Sequence, residues 1–487
     1  MNAPPPGSPT NDLLAEIVAA FARRTPASKA MAEANRPVLA DKTPLAMPFS
    51  AALKEAYYPI VADRAEGARL RDIDGNDYVD ILMGLGCNLL GHNPAPIREA
   101  LEERLARGFP IGPQSEIAGE AARLFAGLTG HERLTFSNTG TEAVMAAIRI
   151  ARAATGRAKI AVFTNAYHGH ADLALFRAKR LEYIRRGALA RAGSGPLRLL
   201  RPLLERLRIT GAAPGFIGVQ GALGRDVMVL DYADPRALDI LRRRGGRLAA
   251  VLVEPVQSRF PEHQPREFLH ELRAVTERTG AALIFDEMIS GFRVAPGGAQ
   301  EHFGVRADLA TYGKIAGGGL PLSLIAGSAR FMDRVDGGQW RFGDGSAPSV
   351  PTTFFAGTHC RHPLSLTAAL AMARVLVEKG PALQSGLNAE TAALVGRLNA
   401  AMEAKRLALR FAHFGSQFGI AASRSRITPE AMSLLSLMLL ARGLHLRPGD
   451  RGGFLSTAHG EAEREFIFAS FAESLERLAA GGLLPEA

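Results

Sequence analysis

The chain has 487 residues, 47% of them hydrophobic and 22% charged, with 51 glycines and two cysteines, the balance of an ordinary α/β globular protein of two or three units. It excludes a disordered, fibrous or disulfide-stapled chain, and with a mean hydropathy of +0.03 no run approaches the ~20 apolar residues that cross a bilayer. The net charge of +10 is concentrated: between Arg177 and Arg208, ten Lys or Arg stand against Glu182 and Glu205, which leaves the rest of the chain nearly neutral.

The first ten residues are proline-rich and read as disordered, whereas "NDLLAEIVAAFARR" (11–24) carries helical spacing behind an Asn-Asp cap candidate. The opening stretch lacks a basic region followed by an apolar core, so no secretory leader is expected and cytoplasm is the default. In "ARLRDIDGNDYVDIL" (68–82), Asp-Gly-Asn between two strand-like runs predicts a hairpin, followed by the glycine-punctuated "GLGCNLLGHNP". Cys87 and Cys360 offer neither a disulfide framework nor metal-ligand spacing and read as packed thiols.

From about residue 90, helical and strand patterns alternate. A helix is predicted over 141–155, with strands at 159–163, 227–232, 248–256, 282–287 and 322–328. These strands are apolar on both faces, as a parallel sheet covered by helices requires. After about 365 the pattern turns helix-rich. "TPEAMSLLSLMLLARG" has a Thr cap candidate, Pro at the first helical position and Gly at the stop. The resulting division is an extension over 1–45, the first part of a smaller unit over 46–90, a large unit over 91–365 with a basic insert at 177–210, and the rest of the smaller unit over 366–487.

Ligands of such sheets sit at the carboxyl ends of the strands, so polar residues that end apolar runs are the site candidates. Asp286 ends "ALIFD", a costly place for a carboxylate unless it faces a cation or donors; a helix cap or loop ion pair is the plain alternative. "FSNTGTEAV" runs from a strand into Thr139, Gly140 and Thr141 at a helix start, which suits a phosphate, although such residues are also ordinary caps. "NAYHGHAD" adds Tyr167; His168 and His170 stand two apart with no third ligand, so no metal is expected. In "TYGKIAGGGLP", Lys314 precedes three glycines, readable also as a loop cation beside a flexible turn. An amine, a strand-end acid, a flat ring and a phosphate cup together suit pyridoxal 5'-phosphate.

The segments "SNTGTEA", "YHGHAD", "LIFDEMISGFR", "TYGKIAGGGLP", "FFAGT" and "FLSTAH" stand in the order found in class III aminotransferases. The chain resembles especially the glutamate-1-semialdehyde aminomutase branch, and most of all the aminotransferase domains of lipopeptide and polyketide synthetases. The resemblance implies fold type I, with a mainly parallel seven-stranded sheet plus a smaller α+β domain. It makes Lys314 the Schiff-base lysine and proton carrier, and Asp286 the partner of the pyridine nitrogen. Tyr167 would stack on the ring, and Thr139, Gly140 and Thr141 would hold the phosphate. Gln257 would touch the ring hydroxyl, and Thr358 would reach the cofactor of a second subunit in a homodimer.

The activity implied is amino transfer from an amino donor to a ketone or aldehyde of an acyl or polyketide-like acceptor in secondary metabolism, free or held on a carrier protein. Intramolecular aminomutase transfer is the alternative, and an inactive cofactor-binding scaffold the non-enzyme one. Where the aminomutase pattern has Leu-Ser-Gly-Asn-Pro after "AGT", this chain has His359-Cys360-Arg361-His362-Pro363, a departure that counts against the mutase, and the resemblance to the synthetase domains favours the transaminase. The basic 177–208 segment reads as a solvated amphipathic helix pair, or as a dock for an acidic carrier protein or a lipid surface. It lacks the interleaved aromatics of a nucleic-acid binder.

Overall fold

A computed structural model describes residues 9–41, 44–182, 184–185 and 210–484. Most of the basic segment (183 and 186–209) and the first eight residues lie outside the described residues, and with them the expectations placed there. The strands in chain order are β1 Ala62–Glu66, β2 Arg69–Asp72, β3 Asp77–Asp80, β4 Arg133–Ser137, β5 Lys159–Phe163, β6 Phe176–Ala178, β7 Ala212–Pro214, β8 Val227–Leu230, β9 Leu248–Val253, β10 Ala282–Asp286, β11 Leu309–Tyr312, β12 Ser323–Gly327, β13 Phe411–Phe414, β14 Gln417–Ile420, β15 Leu444–His445 and β16 Gly452–Phe454.

Seven of these form the central sheet in the order β4-β12-β11-β10-β9-β5-β8. Only β12 runs antiparallel to its neighbours. Every residue of β9, β10, β11 and β12 is buried, and the two faces alternate along each strand. Ile160, Leu252, Ile284, Leu309 and Ile325 pack in one cluster with Val144, Ala147, Ile148 and Ala151 of the helix Gly140–Thr155. Ala161, Val253, Phe285, Ala310 and Leu324 join the other cluster with residues of the helices Ala118–Thr129, Arg266–Thr279 and Pro363–Lys379. Each large aliphatic side chain so buried contributes roughly 1.5–3 kcal/mol, and the sheet is held from both sides.

β2 and β3 pair antiparallel across the Asp-Gly-Asn turn. β15, from the far end of the chain, adds in parallel to β3 through Leu444 and His445. A three-stranded sheet β13-β14-β16 lies in the same C-terminal part. The helix Pro429–Arg442 has the ends its sequence predicts: Thr428 Oγ1 accepts from Ala431 N at 3.1 Å, and Gly443 is left-handed.

The N-terminal helix departs from expectation. It spans Pro9–Arg24, so Asp12 sits in its first turn instead of capping it. A second helix, Pro26–Asn35, follows directly. Its first turn is held by Asp74 of the hairpin turn, which accepts from the backbone N–H of Ala27 and from the N–H and hydroxyl of Ser28. Among the described residues no helix is long and apolar enough to cross a membrane.

Candidate active site

The parallel strands all end on one side of the sheet, and five of them, β4, β5, β9, β10 and β11, each deliver a piece of a cavity of about 210 Å³. From β4 the chain passes through Thr139 into the helix Gly140–Thr155. Thr139 Oγ1 accepts from Glu142 N (3.2 Å), and Glu142 Oε2 reaches back to Asn138 N (2.9 Å) and Ser137 Oγ (3.2 Å), a reciprocal N-terminal cap. Ser323 Oγ, on β12, donates to Thr139 O at 2.8 Å. The first-turn N–H groups of Gly140 and Thr141 thus face the cavity at the positive end of a sixteen-residue helix.

β5 leads into Tyr167, whose ring is half exposed over the cavity and whose N–H donates to Glu254 Oε2 at 2.8 Å. Glu254 directly follows β9 and also accepts from Ser258 N at 3.3 Å. Burial raises its carboxyl above the usual carboxylate range. From β10 comes Asp286, buried, with Oδ1 accepting from Met288 N (3.2 Å) and Thr311 Oγ1 (3.4 Å). His168 Nδ1 lies 2.7 Å from Asp286 Oδ2, and since a carboxylate only accepts, the imidazole donates. His168 itself is buried, and its Nε2 has no hydrogen-bond partner.

β11 delivers Lys314 in a left-handed backbone conformation, φ 45°, at the start of a tight turn. A β-carbon on Gly318, φ 58°, would come within 2.7 Å of Ala368 O, so only glycine lets this turn lie against the helix Pro363–Lys379. Gly318 is therefore a packing requirement of the turn that carries Lys314. Burial lowers the amine below the ordinary lysine value, with Arg293 acting in the same direction and Cys87, Asp286 and Glu254 against it.

Six of the residues singled out from sequence line this one cavity: Thr139, Gly140, Thr141, Tyr167, Asp286 and Lys314. Gln257 and Thr358 are not brought to it. Gln257 is buried and its Nε2 donates to Thr164 O at 2.7 Å. Thr358 is exposed, in a turn whose Cys360 Sγ lies 3.9 Å from Asn138 Nδ2. Two lining residues escaped sequence reasoning. Glu254 ends the apolar run of β9 just as Asp286 ends that of β10, and the same rule finds it. His168 was weighed only as a metal ligand, although a buried strand-end acid calls for a donor, here supplied from the end of β5, two strands across the sheet.

The sequence profile of the family described as Aminotransferase class-III matches residues 50–420. The chain belongs to the class-III aminotransferase family. Among class-III relatives, a glutamate-1-semialdehyde 2,1-aminomutase of Deinococcus radiodurans is 36% identical over 427 residues, covering 85% of this chain and 89% of that protein. One from Chloroflexus aggregans is 32% identical over 434 residues, covering 85% and 90%. The solved β-phenylalanine aminotransferase of Variovorax paradoxus superimposes with a TM-score of 0.79 at 27% identity, over 98% of this chain and 100% of that one. A glutamate-1-semialdehyde aminomutase structure from Pseudomonas aeruginosa shares the fold, with a TM-score of 0.77 at 22% identity over 96% and 98% of the chains. The class-III fold is that of fold type I, the α/β architecture expected from the strand pattern.

Proposed function

We propose that this chain is a pyridoxal-phosphate enzyme that moves an amino group between carbon atoms, and that intramolecular transfer of the glutamate-1-semialdehyde 2,1-aminomutase kind is its reaction. The observation that carries the proposal is the convergence of Lys314, the His168–Asp286 pair and the helix start at Thr139–Thr141 on one cavity. The relatives named as aminomutases, matched over most of both chains, support the choice of reaction.

The residues fit the cofactor. A β-carbon on Gly140 would meet Met288 Sδ at 2.9 Å, so glycine lets the helix start and the Met288 side chain share this wall of the cavity. First-turn N–H groups and the Thr139 and Thr141 hydroxyls are the donors a phosphate needs. Asp286 presents a carboxylate that a protonated pyridine nitrogen would meet, and the His168 N–H holds it in orientation. Tyr167 offers a flat face at the cavity rim. When bound, pyridoxal phosphate supplies an electron sink for the pair released at the amino-bearing carbon. Lys314 Nζ, whose pKa burial lowers below the ordinary lysine value, would hold the cofactor through its aldehyde and is placed to carry a proton between substrate carbons.

Thr358, exposed in the single chain, is assigned to the phosphate site of a second copy in a homodimer, and Gln257 to the ring hydroxyl once its amide exchanges acceptors. The grouping of 46–90 with 366–487 as one smaller unit beside 91–365 draws support from the β3–β15 pairing. A second reading, transamination between an amino donor and a ketone or aldehyde of an acyl chain, free or carrier-bound, rests on the His359–Pro363 replacement, which borders Asn138 beside the helix start.

Borohydride reduction of the yellow holoenzyme followed by peptide mass mapping should place the adduct on Lys314, and Lys314→Ala should abolish it. Protein charged with the amino form of the cofactor should then convert glutamate-1-semialdehyde to the isomer with its amino group moved from C2 to C1, without external donor or acceptor. Turnover only in the presence of a separate donor would establish the second reading in place of the first.

A further inference from the structure

The antiparallel pair β6–β7 lies outside the central sheet, beside its edge strand β8, to which the bridge Gly211–Met228 ties it. Phe176, Ala178 and Ala212 face inward and pack in the cluster that holds the helix Gly140–Thr155. Alternation then turns Arg177 and Lys179 outward. Just past β7, Phe216 and Ile217 project at the tip of a loop, 57% and 107% exposed, between Gly215 and Gly218, which are exposed as well. The guanidinium carbon of Arg177 stands 5.7 Å from the centre of the Phe216 ring, so the outward face of β6 and this tip belong to one surface. At the other end of β6, Lys179 and Arg180 are exposed, and among the described residues neither is in an ion pair. The helical turn that begins there is inside out. Glu182 and Arg185 pair with each other in the interior, while Leu181 and Ile184 stand 62% and 59% exposed.

Single exposed apolar side chains are ordinary. An aromatic and a branched aliphatic residue side by side at a projecting tip, with cations on the adjoining face, make a more specific demand: hydrocarbon for the tip and negative charge around it. The sequence that joins the two strands reinforces the charge, since from Arg177 to Arg208 ten Lys or Arg stand against Glu182 and Glu205. An anionic bilayer meets both halves of the demand, because its acyl chains close around a side chain of any shape beneath a negatively charged headgroup layer. An acidic protein would need a preformed apolar pocket for Ile217 in addition to its charges.

We infer that the β6–β7 hairpin is a lipid-surface dock: the Phe216–Ile217 tip enters the acyl region of an anionic bilayer while Arg177, Lys179 and Arg180 meet its headgroups. The inference is independent of the reaction assigned to the cavity, which none of these residues lines. Full-length protein should sediment with vesicles of phosphatidylcholine containing roughly one-third phosphatidylserine, and bind vesicles of phosphatidylcholine alone at least about tenfold more weakly. Phe216→Ser together with Ile217→Ser should weaken binding to the anionic vesicles about 10- to 100-fold. Lys179→Gln together with Arg180→Gln should weaken it about tenfold and reduce its sensitivity to salt. Neither double variant should shift the unfolding midpoint or the turnover of a water-soluble substrate, since all four side chains are exposed. Equal sedimentation with both kinds of vesicle overturns the inference. Unchanged affinity in the Phe216→Ser, Ile217→Ser protein overturns it too, leaving only the diffuse attraction of a basic segment for negative charge. Retention on immobilised polyglutamate without sedimentation on anionic vesicles overturns it in favour of an acidic protein partner.

Discussion

Two buried aspartates, Asp80 and Asp286, each take a hydrogen bond of 2.7 Å from histidine, and they serve different ends. Asp80, at the end of β3, accepts from His92 Nε2 and His445 Nδ1, and from the backbone N–H groups of Leu82 (2.8 Å) and Met83 (3.2 Å). His459 Nε2 holds its carbonyl at 3.0 Å. Burial alone would push the carboxyl up, but the two histidines outweigh it and hold Asp80 well below the usual carboxylate range. Asp286 has one histidine, one short and one long bond, and a side that lines the cavity. A buried acid whose acceptor positions are all occupied by the protein is a rivet, and one with a position turned toward empty space is a site. Burial and a histidine partner do not separate the two; the count of remaining acceptor positions does.

The largest effects break this comparison apart. Asp286→Asn should lower kcat/KM by about 10³-fold or more, because a pyridine nitrogen facing an amide is no longer held protonated, while the unfolding midpoint stays near that of the parent. Asp80→Asn should do the reverse. The amide keeps one acceptor oxygen, so one histidine and one backbone N–H lose their acceptor and the buried charge that both histidines hold is removed, at a cost of about 3–5 kcal/mol in urea unfolding, with near-normal activity per folded molecule under stabilising conditions. Equal activity losses in both variants would remove the distinction.

His131 tests a histidine that no carboxylate holds. It is buried and its Nε2 accepts from Gln300 Nε2 at 3.1 Å, so protonation would set donor against donor. Burial, with Arg306 nearby, pushes its pKa down from 6.5 to about 4. The folded protein therefore resists a proton that the unfolded chain accepts. Stability is fully present above pH 6.5 and falls as the pH drops toward 4, by on the order of 3 kcal/mol. His131→Gln should flatten that limb in chemical unfolding measured between pH 7 and 4; an unchanged slope would assign the acid sensitivity to other groups.

The parts of this molecule legible in its sequence are those whose partners lie close along the chain or whose position follows from strand polarity. Thr428 and Gly443 bracket a helix through contacts three or four residues away. Lys314, Asp286 and Thr139–Thr141 stand out because apolar runs end just before or at them. The helix Pro26–Asn35 was missed because its cap, Asp74, comes from a turn more than forty residues on. The Asp80 cluster was missed for the same reason, since His445 lies 365 residues from its acid. Gln257 illustrates the same limit. Its partner, Thr164 O, lies 93 residues back along the chain, and no local pattern marks that pairing.

The smallest effects sharpen the comparison by removing one histidine from each side. His168→Gln takes from Asp286 the ring that orients it, and loss of such an outer partner costs about 10–100-fold in activity. The same substitution leaves Met288 N and Thr311 Oγ1 on Asp286, so the unfolding midpoint should hardly move. His92→Gln takes one of four donors from Asp80 and should cost about 1 kcal/mol of stability, with kcat unchanged, because His445 and two N–H groups still fix the carboxylate. The pair is decisive because the chemical change is identical. If His168→Gln lowered stability and left kcat alone, Asp286 would be a second rivet and the cavity beside it would need another acid; Glu254, the remaining carboxylate on its wall, is the only lining residue that qualifies.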